Sequence, residues 1–276
     1  RVRGAEGNHV LVLVDGIRAN DPANSDEFRW ELLSAYNVEK IEIIRGPQSA
    51  LWGSDALAAV VYIDTIPDSD VTHFNGFAES GTESTLNTGF NGSTSGDAWS
   101  LSYGASQLNT DGTNTSRTGA EDDGSDLTTA SLNGTLRATE SLSFNAGIRA
   151  VDASSDFDSI SFATGLPEDA DLVSDSKNLF LQSGVELDTL DGRIAHRLDL
   201  RLLETERDDL TDGLETSSYE SDRTTISYQT TMQLDVNVLT LAAEHERSTF
   251  TQRGDLINLG MGVILDPNQD QSITVN

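Results

Sequence analysis

The sequence predicts a mainly β protein, a partial transmembrane antiparallel β-barrel preceded by a small α/β module. Three observations predict it. From residue 71 onward apolar and polar residues alternate over long segments, and period-two alternation makes a sheet with one apolar and one polar face. The polar parity carries charge, with Arg137, Arg149, Arg197 and Arg201 on it. That suits a wet lumen better than the dry interior between two packed sheets. Connections alternate between short ("ATESL", "DTLDGR", "DVNVL") and long acidic ones (residues 109–126, 152–176 and 207–219), the asymmetry of bacterial barrels.

The first module reads differently. "HVLVLVDG" (His9 to Gly16) is a short apolar strand, and "IRANDPANSDEF" is a loop. A short helix is expected from Trp30 to Tyr36, then strand "VEKIEIIRG", the turn "PQSALWGSDALAA" and strand "VVYIDTI". Short apolar runs bounded by Gly and Pro are the mark of buried strands. The style changes near Pro67, which divides the chain into 1–67 and 68–276.

In the second part Ala130, Leu132, Gly134 and Leu136 share one parity and Thr129, Ser131, Asn133 and Arg137 the other. Leu142, Phe144, Ala146 and Ile148 oppose Ser143, Asn145, Gly147 and Arg149. Ile194, His196, Leu198, Leu200 and Leu202 oppose Arg193, Arg197, Asp199 and Arg201. Ile226, Tyr228, Met232 and Leu234 oppose Ser227, Gln229, Thr231 and Gln233. The segments reach the roughly 9–11 residues of a tilted membrane crossing, and about nine or ten of them follow Val71. A closed barrel of that size fills with its own side chains, whereas barrels of about 22 strands hold a plug. The α/β module is therefore expected to be part of a plug domain, and the chain to supply under half of the staves.

Composition narrows the function. Forty-six acids against 17 bases give a net charge of −29, which repels phosphate backbones and argues against a nucleic-acid partner. There is no Cys, hence no disulfide framework or thiolate site. No apolar run reaches the roughly 18 residues of a membrane helix. The opening "RVRGAEG" and closing "QSITVN" read as the interior of a longer chain. The four histidines, His9, His73, His196 and His245, lack zinc-site spacing. No nucleophile elbow or acid–base pair is present, so an enzyme is not expected.

"VRGAEGNHVLVLVDGIRAN" followed by "VEKIEIIRGPQSALWGSDALAAVVYI" resembles the second half of the plug domain of TonB-dependent outer-membrane receptors. The likeness is nearest to the cobalamin (vitamin B12) receptor branch. It spans residues 1–66, and the barrel matches only in style. Ala58-Ala59 replace the family's Gly-Gly, Tyr62 its Asn, and Trp52 the commoner Tyr or Phe. The resemblance implies an active transport receptor in the outer membrane of a Gram-negative bacterium. It would bind a scarce nutrient, cobalamin first and a ferric siderophore second. Its partners would be outer-membrane lipid, that small-molecule nutrient and a TonB-type inner-membrane energy complex. The contact site for the complex would lie outside this sequence.

Site residues follow from both readings. Gly46, Pro47 and Gly53 set tight turns rather than a phosphate loop, because no P-loop spacing is present. By the resemblance, Arg3 and Arg45 form a plug–barrel latch with wall glutamates; otherwise they are exposed strand-end arginines. Asn20, Asp21, Asn24, Ser25 and Asp26 lie in the loop that in the family touches ligand; the alternative is a solvated Asx-rich turn. Trp52 faces either ligand or core. Asp111, Asp122, Asp123, Asp208, Asp209 and Asp212 could hold calcium, as hard cations favour carboxylates, or could be solvated loop acids; no other cofactor is expected. Rival readings are a passive outer-membrane channel or adhesin, a soluble calcium-binding β-protein, and an outer-membrane hydrolase. The plug motifs oppose the first, and the absent catalytic constellation opposes the last.

Overall fold

The structure, a computed structural model, describes residues 4–52, 56–66, 72–116, 119, 121–234, 236–254 and 271–275. Two sheets carry it. The first is four-stranded, in the order β2-β1-β4-β3. Its strands are β1 (Val10–Val14), β2 (Ile17–Arg18), β3 (Lys40–Arg45) and β4 (Ala59–Asp64). β1 and β4 pair in parallel, and β2 and β3 flank them antiparallel. Central strands covered on both faces should read as continuous aliphatic runs; β1 is "VLVLV" and buried throughout. The "DG" after β1 makes a two-residue hairpin, with Asp15 and Gly16 at φ of 52° and 81°, the geometry that favours this dipeptide.

Two details differ from the sequence reading. Trp30 to Tyr36 is not one helix but two 3-10 turns, Trp30–Leu32 and Ala35–Asn37. Neither has a side-chain N-cap bond, and such short pieces are stable only as connectors. The turn after β3 contains a one-turn helix, α1 (Ser49–Trp52). Gly46 has φ of 99° with open space around it, so its backbone conformation is what requires glycine.

The second sheet has ten strands in sequence order. They are β5 (His73–Ser80), β6 (Leu86–Ser95), β7 (Trp99–Thr113), β8 (Asp123–Arg137) and β9 (Leu142–Ile160). Then come β10 (Pro167–Thr189), β11 (Ile194–Thr211), β12 (Leu214–Leu234), β13 (Asn237–Gly254) and β14 (Gln271–Val275). All neighbours are antiparallel. The strand count and the phase of alternation agree with the sequence. Leu136, Phe144, Leu198 and Tyr228 are exposed on the outer face, in register across β8, β9, β10 and β11 to β12. Arg149 and Arg223, of the other parity, are each 4 % exposed.

The long acidic connections are largely strand. β9 to β12 run 18–23 residues, about twice a membrane crossing. The excess lies at the acidic end, where the ladder continues in water and satisfies the backbone whatever the side chains are. The connection expected over 207–219 is only a two-residue Asp212-Gly213 turn, both residues at positive φ.

The first sheet packs inside the concave wall. Val10, Val12, Val14, Ala59, Val61 and Ile63 form one buried cluster with the wall residues Leu127, Val151, Ala153, Phe180 and Leu203. Tyr36 stacks on Phe77 of β5. Each buried aliphatic contributes about 1.5–3 kcal/mol, so the small sheet shares its core with the wall.

The outer belt makes a prediction. Ile148→Arg, on the outer face of β9, should lower the stability of the full-length protein in lipid vesicles by about 2–4 kcal/mol. Asn133→Ser, on the inner face, should change it by less than about 0.5 kcal/mol. Urea unfolding of vesicle-inserted protein measures both.

Candidate ligand vestibule and plug latch

The loop after β2 reaches the wall at β11 to β13. Asp21 caps a 3-10 turn, Pro22–Asn24, through Ala23 N at 2.8 Å. The same Asp21 oxygen accepts from Ser221 Oγ at 3.1 Å and Thr205 Oγ1 at 3.4 Å on the wall. Asn20 is fully buried. Its Oδ1 accepts from Val12 N, and its Nδ2 donates to the carbonyls of Val10 and Asp26.

Beside this loop lies a four-charge cluster. Arg18 pairs with Asp26 and, at 3.3 Å, with Glu246 of β13. Arg223 of β12 pairs with Asp26 at 2.8 Å and Glu246 at 3.5 Å, and donates to the Asn20 carbonyl at 2.6 Å. Each arginine thus touches one plug acid and one wall acid. The opposite charges sum to zero, as a largely buried cluster needs. Farther along the loop Arg29 pairs with Glu31 at 2.7 Å and donates to Ser176 Oγ at 2.6 Å on the wall.

On the inner wall just beyond the loop, Arg207 and Tyr219 face each other across β11 and β12. The guanidinium lies 3.9 Å from the Tyr219 ring centroid, a cation–π contact. Asp209 sits 3.5 Å from Arg207 Nε and accepts from Ser174 Oγ at 2.9 Å. On the loop itself Ser25 and Trp30 are exposed and Asn24 is half-buried. The inner wall thus presents a cation stacked on an aromatic ring, and the loop presents an exposed hydroxyl and an exposed indole.

The expected ligand residues therefore divide. Asn20 and Asp21 are buried, their polar atoms used inside the loop and against the wall. Asp26 belongs to the ion cluster. Asn24 is half-buried and Ser25 exposed. Arg45 is exposed and has no ion pair among the described residues. Arg3 and Gly53 lie outside the described residues. Trp52, 40 % exposed on α1, is not in a core cluster.

The six aspartates do not meet at one point; Asp111 and Asp122 line one cavity with Asp126 and Asp156, and the others lie elsewhere. Asp208 and Asp209 are successive strand residues and point to opposite faces of β11. Asp212 forms the hairpin turn. Asp122 and Asp123 accept from Asn114 N and Thr115 N, closing the β7–β8 connection. Among the described residues no group of three acids or histidines is placed to hold a metal.

Sequence reasoning missed Arg18, Arg223 and Glu246. Arg223 could have been found, since it shares the inward parity of Ser227 and Gln229. Glu246 likewise shares the parity of Thr240, Glu244 and Ser248 on β13; Arg18 carries no comparable local signal.

A wall with an apolar outer belt and a folded module packed against its inner face defines an outer-membrane barrel occupied by a plug. Residues 1–60 match the TonB-dependent Receptor Plug Domain family. The likeness to TonB-dependent receptors is thus carried in sequence by the plug residues, and the barrel shares the fold of solved outer-membrane receptors. Over 66 residues the chain is 44 % identical to the Vitamin B12 transporter BtuB of Vibrio vulnificus (strain YJ016), which is 24 % of this chain and 11 % of that protein. The fold is shared with the siderophore receptor PiuA of Acinetobacter baumannii, at a TM-score of 0.71 and 12 % identity over 99 % of this chain and 46 % of that one. It is also shared with the ferripyoverdine receptor of the outer membrane of Pseudomonas aeruginosa, at 0.69 and 10 % over 99 % and 42 %. The chain thus spans less than half the length of these structures.

The ion cluster yields a second prediction. Arg223→Met leaves Asp26 and Glu246 sharing Arg18 alone and removes the bond to the Asn20 carbonyl, and should weaken plug docking by about 1–3 kcal/mol. Limited proteolysis of the plug in the full-length receptor should show it. Glu186→Gln, which breaks an exposed pair with Arg197, should leave the cleavage rate within about twofold.

Proposed function

We propose that this chain is part of an active transporter that takes up a large, scarce nutrient, with cobalamin first and a ferric siderophore second. The observation that carries the reading is the plug sheet sharing its core with the inner wall while an ion cluster ties its loop to β12 and β13. A module held by a few polar ties at the edge of an apolar contact can be displaced without unfolding the wall. The ligand would rest on Asn24 and Ser25 and against Arg207 and Tyr219. A TonB-type complex would supply the work of displacing the plug. The work of the protein is then gated passage, not bond chemistry.

Cobalamin leads because the sequence likeness to the vitamin B12 transporter falls on the plug, whereas the siderophore receptors share only the fold. The test is equilibrium binding of cobalamin and of ferric siderophores to the full-length receptor. Tight cobalamin binding, weakened about tenfold by Arg207→Ala as expected for loss of a charged hydrogen-bonding partner, is the expected outcome. Tight siderophore binding with none for cobalamin overturns the cobalamin choice.

A further inference from the structure

Arg29, in the plug loop that follows β2, meets the wall through two hydroxyls. One terminal nitrogen donates to Ser176 Oγ at 2.6 Å and the other to Ser174 Oγ at 3.3 Å. Both serines belong to β10 and are buried. A hydroxyl has one proton to give, and Ser174 gives its proton to Asp209 Oδ1 at 2.9 Å. The same oxygen faces Arg207 Nε at 3.5 Å, a looser contact than the roughly 2.7–2.9 Å of a charged hydrogen bond. The register of β10 and β11 completes the arrangement. Ser174 stands directly opposite Asp209, and Ser176 directly opposite Arg207. A plug cation and a wall cation therefore draw on one carboxylate, Arg207 directly and Arg29 through the Ser174 hydroxyl.

On the wall side this seat carries one acid and one base, Asp209 and Arg207, with side chains 26 % and 16 % exposed. Charges so placed act on each other more strongly than on an open surface. While Arg207 keeps its charge it offsets Asp209 and repels Arg29 across the Ser176 hydroxyl. Once that charge is cancelled, Asp209 acts undiminished on the Ser174 hydroxyl and on Arg29, and the loop is drawn to the wall. The cluster of Arg18, Asp26, Arg223 and Glu246 differs, because its charges cancel among themselves.

We infer that the charge on Arg207 sets how firmly the plug loop sits, through Asp209, Ser174 and Arg29. An anionic group placed on Arg207 fastens Arg29 to β10, so the loop is retained over a filled site and loosened over an empty one. Ser174 and Asp209 are positioning residues, which act on the plug through Arg29 and need not touch ligand. The statement about a filled site rests on the transport reading above; the coupling between the two arginines does not.

The coupling is tested without ligand, in the full-length protein freed of any native cysteine and carrying Val151→Cys. Val151 is a wall residue of β9, 4 % exposed and packed in one cluster with the plug valines. The rate at which a maleimide reaches it in sub-denaturing urea reports departure of the plug. Arg29→Met should speed labelling about tenfold, the loss of charged hydrogen bonds. Arg207→Met should slow it about threefold and Asp209→Asn speed it about threefold, as coupling within one network gives. Added to Arg29→Met, each should change the rate by less than about 1.5-fold. Groups that merely build the wall would speed labelling in both variants and would do so with or without Arg29. Unchanged or faster labelling in Arg207→Met, unchanged or slower labelling in Asp209→Asn, or an effect of either that persists beside Arg29→Met, overturns the inference. If Arg207→Met does not form a barrel, Asp209→Asn with and without Arg29→Met decides. No nutrient enters the measurement, so its failure leaves the binding test standing, and the converse holds.

Discussion

A wall that meets lipid must pair its whole backbone within the sheet, and its side chains must then alternate between two faces. Once the outer face of β7 to β13 is apolar, the inner face is the only place for the polar half of each strand. The plug must therefore dock on a surface that is mostly hydroxyl, amide and charge. It does so by concentrating its apolar contact on one inner patch, Leu127, Val151, Ala153, Phe180 and Leu203. Elsewhere it uses single side chains, such as Asp21 on Thr205 and Ser221, and the cluster of Arg18, Asp26, Arg223 and Glu246.

The same constraint sorts the net charge. Beyond the apolar belt, the outer face carries Asp126, Asp152, Asp175, Glu204, Glu206, Glu220 and Asp222, all exposed. Three like-charged pairs stand directly opposite each other, Asp175 with Asp208, Glu204 with Asp222, and Glu206 with Glu220. Such pairs are unfavourable in a sheet, and solvent exposure together with the continuous main-chain ladder tolerates them. The inner face at that height holds Ser155, Ser174, Thr205, Ser221 and Tyr219, with Arg207 paired to Asp209. A chain of charge −29 therefore has an inner wall that is locally close to neutral around the loop.

Legibility in the sequence followed the range of each interaction. Strand count and facing were readable because period two is written in every strand; Arg149 was assigned to the lumen on parity alone. The long acidic connections were misread because Asp- and Ser-rich segments look like loops, whereas a ladder started in the membrane continues upward regardless of composition. The "DG" at Asp212-Gly213 was the hairpin signal that parity reading passed over. The single helix expected near Trp30 failed because its ends lacked caps. Asn20 and Asp21 read as ligand residues because amides and carboxylates look exposed in sequence. Their burial depends on wall strands nearly two hundred residues away, which no local pattern encodes. Arg18 was missed for the same reason.

The central claim is that one parity of these strands faces acyl chains while the other surrounds the plug. Single nitroxide labels placed one by one along residues 142–151 of the full-length receptor in lipid vesicles test it most directly. Collision with oxygen, which concentrates in lipid, is compared with collision with a water-soluble nickel complex. The account predicts that labels at 142, 144, 146, 148 and 150 favour oxygen while those at the intervening positions do not. A flat profile, or the opposite phase, would contradict it.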